Sequence, residues 1–86
     1  MNKKEAKQMI ESYKPTNGFF DLSKKPESLN EIEYAKILET QNLLVEQNNN
    51  REYLKRHNPI QWEKAKELSA SLQQIIFQYW GDSVFV

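Results

Sequence analysis

Residues 58–81, NPIQWEKAKELSASLQQIIFQYWG, carry the strongest helix signal in the chain. Asn58 is a favourable N-cap because its side-chain carbonyl can accept a hydrogen bond from the first turn. Pro59 suits the first helical position, which needs no N–H. Gln61 stands three residues after the cap, where a capping box would let it reach back to the Asn58 N–H. Gly81 can adopt the positive φ of a helix end, so we predict a helix over residues 59–80.

The periodicity of this helix predicts which face it buries. Projected at 100° per residue, most of its apolar side chains share one arc, opposite glutamates, glutamines and a serine. The arc contains Trp62, Ala65, Leu68, Ser69, Leu72, Ile75, Ile76, Tyr79 and Trp80. An isolated helix cannot compensate for the ordering of its own backbone, so the rest of the chain must supply packing partners.

A first helix is predicted over residues 3–13, where apolar residues recur at the i, i+3, i+4 and i+7 spacing. These residues are Ala6, Met9, Ile10 and Tyr13. Pro15 ends this helix, because the residue before a proline is pushed out of the α region. The following segment is irregular, with a turn signal at residues 17–18. We expect its Phe19 and Phe20 to plug one end of a helical core, the alternative being an exposed binding tip.

A second long helix is predicted over residues 28–47. Ser28-Leu29-Asn30-Glu31 matches the capping-box pattern and marks its start. Its apolar residues fall on two sides of the helix, and a helix that is apolar on two sides is covered on two sides. We therefore expect either that it is the middle helix of the bundle or that one of its faces meets a second molecule.

Three consecutive asparagines at 48–50 predict an interruption of the helix, because the asparagine side chain competes with the helix for backbone hydrogen bonds. A short helix at 51–57 with Tyr53 and Leu54 inward would follow, although one continuous helix over 28–57 stays open. The apolar tail at 84–86 is expected to fold back onto the bundle, the alternatives being capture by a strand-adding partner and fraying.

The fold class is thus all-α: one helical domain over residues 1–86, with three main helices (about 3–13, 28–47 and 59–80), the short helix at 51–57 and the apolar tail. The chain has 12 basic and 12 acidic residues, no cysteine and two glycines. This composition excludes a disulfide framework, a thiolate nucleophile, a cysteine-type zinc site and a Gly-rich phosphate loop. No segment carries a motif specific enough to name a family.

Neither a signal peptide nor a membrane-spanning segment is evident, so we expect a cytoplasmic protein with no membrane partner. The excess of lysine, asparagine and isoleucine is typical of AT-rich genomes, which indicates a low-GC bacterium or one of its phages.

The chain contains few residues of the types that act in catalysis. His57 is the single histidine, and the aspartates, Asp21 and Asp82, have no motif around them. A metal site at His57 would need carboxylates from elsewhere to converge on it, so we favour a helix C-terminal role in which partial positive charge is stabilising. We predict no enzymatic activity, no catalytic residue, no cofactor and no metal.

The last helix has an unusual surface, since no charged residue lies between Glu67 and Asp82. Solvated helix faces usually carry lysine and glutamate, whereas interface cores are depleted of charge and enriched in aromatic residues. We predict a protein interface formed by Gln73, Gln74, Phe77 and Trp80. The alternative is an ordinary polar face with Phe77 tucked against the tail.

These features favour a small protein–protein interaction module that binds through a helix face, as a regulator or inhibitor of a larger bacterial or phage protein. Its partner would be another protein or a second copy of the chain. The alternative class is a nucleic-acid-binding regulator with a helix-turn-helix outline in segment 51–66. Its phosphate contacts would be Arg51, Lys55, Arg56, Lys64 and Lys66. The neutral net charge makes nucleic acid the less favoured partner.

Overall fold

A computed structural model describes residues 1–16 and 19–81, and these residues form four helices and no strand. The helices are α1 (Lys3–Ser12), α2 (Glu31–Asn49), α3 (Arg51–His57) and α4 (Pro59–Trp80). The all-α fold class, with three main helices and one short one, is therefore confirmed. The predictions for the turn at 17–18 and the tail at 84–86 lie outside the described residues.

The predicted ends of α4 are confirmed. The Asn58 side chain accepts a hydrogen bond from the Gln61 N–H at 3.3 Å, and Gly81 has a φ of 67°. One detail differs from the expected capping box. The Asn58 N–H already donates to the Leu54 carbonyl at 2.8 Å, so the Gln61 side chain instead accepts from the Asn58 side-chain amide at 2.8 Å. Because α3 ends directly before this cap, a single residue separates the two helices.

The predicted start of α2 is wrong by three residues. The helix begins at Glu31, and its N-cap is Asn30, whose side chain accepts from the Glu33 N–H at 2.8 Å. Asn30 and Glu33 offer the same capping chemistry as Ser28 and Glu31. Ser28 does not begin the helix because it lies in a turn. In that turn the buried Leu29 donates its N–H to the Pro26 carbonyl at 3.2 Å. The first helix is also one residue shorter than predicted.

Helix α2 is the middle element, because α1, α3 and α4 all pack against it. Residues early in α2 neighbour the end of α4 and later ones its beginning, so α2 and α4 run antiparallel. The main core cluster comprises Leu22, Leu29, Tyr34, Leu38, Leu44, Leu72 and Ile76. The interruption predicted at 48–50 falls at Asn50 alone, so α2 runs two residues beyond its predicted end at 47. Leu54 is buried as expected, but Tyr53 is 65% exposed because it stacks on His57, one turn later, instead of turning inward.

The segment between α1 and α2 is held by side chains from three helices or their ends. The Tyr13 hydroxyl accepts from the Leu22 N–H at 3.0 Å, and the Tyr34 hydroxyl donates to the Leu22 carbonyl. Gln41 donates to the Phe20 carbonyl at 2.9 Å. The Trp80 indole N–H donates to the Lys24 carbonyl at 2.7 Å. This loop, residues 19–29, is therefore an integral part of the core.

Candidate functional site: an open groove between α2 and α4

The helix pair α2–α4 has two sides, and the loop covers only one of them. On that side Phe19 lies over a cavity of about 230 Å³ that Leu44 and Trp62 also line. Next to it, Phe20 and Phe77 pack edge to face, with ring centroids 5.7 Å apart and planes at 83°. The prediction that the two phenylalanines plug the helical core is confirmed for Phe20, which packs against the main cluster.

The other side of the pair is an open groove of about 250 Å³. Apolar side chains line most of the groove, together with small or flexible polar ones. The lining residues are Lys36, Ile37, Thr40, Leu68, Ser71, Leu72 and Ile75. Leu68 and Ile75 are each 38% exposed. We call this surface the α2–α4 groove. Toward α3 lies a shallow depression of about 490 Å³, which Leu43, Tyr53 and Gln61 help to line.

The spacing of α4 residues explains the composition of the groove. Leu68, Ser71 and Ile75 follow one another at intervals of three and four residues, so they lie along one stripe of the helix. The small Ser71 between two branched apolar side chains allows a second helix to approach closely. The stripe continues to Gln78 without a charged side chain. The α4 side of the groove can therefore bury apolar area without removing a charge from water, as an interface core does, whereas the α2 side carries Lys36.

Charges of opposite sign lie on α2, which forms one wall of the groove, and on segment 51–66, which precedes the α4 wall. Helix α2 holds four glutamates against one lysine, a formal charge of −3, and residues 51–66 hold five basic residues against two glutamates, a charge of +3. The ion pairs recorded for the described residues are Arg51 with Glu52 at 3.8 Å and Lys66 with Glu63 at 2.8 Å. Both lie within segment 51–66. The acidic helix and the basic segment are therefore not neutralised by each other within the described part of the chain.

The structure divides the predicted interface set into two groups. Gln73 and Gln74 are exposed on α4. Phe77 and Trp80 are half-buried and turn toward the loop: Phe77 packs on Phe20, and the Trp80 ring lies 6.2 Å from that of Tyr34. The role of this set in binding stays a prediction, but Phe77 and Trp80 also hold the loop. Substituting them would change packing and binding together.

The predicted nucleic-acid contacts all lie on the surface around α3 and the start of α4. Three of them have partners within the chain: Arg51 and Lys66 in the ion pairs above, and Lys55, whose ammonium group lies 5.5 Å over the Trp62 ring. Within the described residues, Arg56 and Lys64 form no ion pair. Partial neutralisation reduces the positive potential that phosphate binding requires. Nucleic-acid binding stays an untested alternative.

The ionisable groups with shifted pKa values lie in the loop or form hydrogen bonds to it. Burial raises the pKa of the Tyr13 and Tyr34 hydroxyls, and hydrogen bonds from Ser23 lower the pKa of Asp21. His57 stacks on Tyr53 with ring centroids 4.7 Å apart. Across residues 1–16 and 19–81, no three histidine or acidic side chains are placed to hold a metal ion. No helix in these ranges is both long and apolar enough to cross a membrane.

No protein-family model, curated protein or solved structure matches this chain. Its function must therefore be argued from its own surface.

Sequence reasoning missed the α2–α4 groove because it assigned Leu68 and Ile75 to the buried arc. The two residues lie at one edge of that arc, about 50–70° from its centre between Ala65 and Leu72. The available signal was the width of the arc, which exceeds what one neighbouring helix covers. Periodicity shows which side chains share a face, but coverage of the edges depends on where the neighbouring loop lies.

Proposed function

We propose that this protein is a small interaction module that binds another protein chain through the α2–α4 groove. The observation that carries the proposal is the asymmetry of the helix pair: the loop covers one side, while Leu68 and Ile75 on the other side are more than one-third exposed. An apolar, charge-free stripe along a regular helix fits an amphipathic helix of a partner.

The module would act in the cytoplasm of a bacterium or a phage-infected cell, as a regulator or inhibitor of a larger protein. The proposal assigns it no enzymatic activity, cofactor or metal. It moves the centre of the interface from Phe77 and Trp80 to Leu68 and Ile75. Gln74, exposed beside this stripe, stays at the edge of the contact surface.

Site-specific photo-crosslinking tests the proposal. A photoreactive phenylalanine analogue replaces Leu68 in the groove or, as a control, Lys7, which is exposed on α1. Each protein is irradiated in a lysate of a low-GC bacterium, and the products are identified by mass spectrometry. We expect protein adducts from position 68, and unlabelled wild type should suppress those formed with other proteins whereas the Leu68→Asp variant should not. Absence of adducts at position 68, or equal adducts from both positions, would contradict the proposal.

A further inference from the structure

We propose that the groove is occupied by a second copy of this chain, with α2 of one copy packed on α4 of the other. This inference rests on the proposed function, because it names the partner of the same surface. Three observations carry it: the accessible area of the chain, the antiparallel arrangement of α2 and α4, and the opposite charges beside the groove.

The first observation is the area. The chain exposes 6282 Å². A compact monomer of 10.3 kDa exposes about 5,400 Å². The excess of about 900 Å² counts the whole chain, including residues outside 1–16 and 19–81, and is of the same order as the roughly 800 Å² that each partner contributes to a standard interface. Part of the exposed area lies on the α2–α4 groove, where Leu68 and Ile75 are each 38% exposed.

The second observation is the direction of the helices. A two-fold axis parallel to the groove places α2 of one copy over α4 of its partner without reversing either helix. Since α2 and α4 are antiparallel within one chain, each helix then has antiparallel neighbours on two sides, as in a four-helix bundle. Ile37 of each copy covers Leu68 and Ile75 of the other, so both apolar stripes are buried by one self-complementary contact.

The third observation is charge. The same rotation keeps the α3 end of one copy at the α3 end of the other. It therefore brings Glu46, exposed near the α3 end of the acidic α2, toward Lys64 of the partner's α4. Neither side chain forms an ion pair within the described part of the chain. A complementary arrangement favours the dimer and its register, while the apolar stripe supplies most of the binding.

Light scattering on a size-exclusion column tests the dimer, with protein from about 1 to 100 μM, because association follows mass action. We expect a mass of about 21 kDa, twice the 10.3 kDa of one chain, at the upper concentrations. Leu68→Asp should weaken dimerisation on the order of a hundredfold, since it buries an unpaired charge. Ala70→Asp adds the same charge to the same helix roughly 200° away and should leave the dimer unchanged.

A charge exchange tests the orientation. Glu46→Lys and Lys64→Glu should each weaken dimerisation severalfold, and the double variant should recover part of the loss. A monomer at every concentration would overturn the inference. If position 68 still crosslinks to another protein in that case, the proposed function stands alone, and if it does not, both fail. A dimer that resists Leu68→Asp, or that shows no recovery in the double variant, would overturn the arrangement.

Discussion

Replacing Leu22 by alanine should destabilise the protein far more than the same change at Leu68. Leu22 belongs to the loop, yet its exposure is 0%, and its backbone is held on both sides: the N–H donates to Tyr13 and the carbonyl accepts from Tyr34. A backbone tethered in this way cannot move in to fill the cavity. The cost should therefore lie in the middle of the range for buried leucines, about 3–4 kcal/mol within roughly 2–5 kcal/mol.

A loss of that size is a large part of the total free energy of unfolding. At roughly 0.05–0.15 kcal/mol per residue, a chain of 86 residues has about 4–13 kcal/mol of stability. Leu68, at 38% exposure, loses only part of its transfer free energy when truncated, about 1 kcal/mol or less. Each kilocalorie shifts the melting temperature by about 4–8 °C in a domain of this size, so Leu22→Ala should lower it by at least roughly 12 °C.

Urea denaturation, followed by circular dichroism and tryptophan fluorescence at one protein concentration, measures both variants. Trp80 reports on the loop directly through its hydrogen bond to Lys24. Coincident transitions with a lower midpoint and an unchanged slope are expected for Leu22→Ala. A cost below about 1 kcal/mol for Leu22→Ala, or a cost no larger than that of Leu68→Ala, would instead mean that the loop folds independently of the helices.

Three further predictions follow from the same structure. Burial raises the pKa of Tyr13, so the unfolded state releases this proton first, and stability should fall as the pH rises through about 10. Tyr13→Phe should flatten that fall in urea midpoints measured from about pH 8 to 11. Asn58→Ala should cost about 1 kcal/mol and Asn58→Ser almost nothing, because serine also caps; equal losses in urea titrations would argue against the cap. A fluorescent DNA duplex should not bind at about 0.15 M salt; binding that weakens steeply with salt and requires Arg56 and Lys64 would support the nucleic-acid alternative.

The local chemistry of the chain was enough to predict its helices. Asn58, Pro59 and Gly81 act within one turn of the backbone, so their effect does not depend on distant residues. The start of α2 was misplaced because Ser28 and Asn30 offer equivalent caps. The buried turn at Leu29 favours the second, and that turn exists only because the loop is folded.

The loop itself could not have been predicted from sequence. Its stability comes from Gln41, Tyr34 and Trp80, which donate to backbone carbonyls between 12 and 56 residues away in the chain. No local sequence pattern around these side chains predicts which carbonyl accepts their hydrogen bond. Gln41 illustrates the limit, because it is 2% exposed although it lies among residues that read as an ordinary polar stretch.

The position of the loop links stability to binding. With Phe19 and Phe20 on one side of the α2–α4 pair, substitutions there should change the free energy of unfolding. Substitutions of Leu68 or Ile75 on the other side should change association and, at low concentration, cost only about 1 kcal/mol or less of unfolding free energy. If the groove were only an imperfectly packed part of the core, both classes would act on stability alone. Separate effects of the two classes, measured on the same set of variants, therefore distinguish a binding surface from a packing defect.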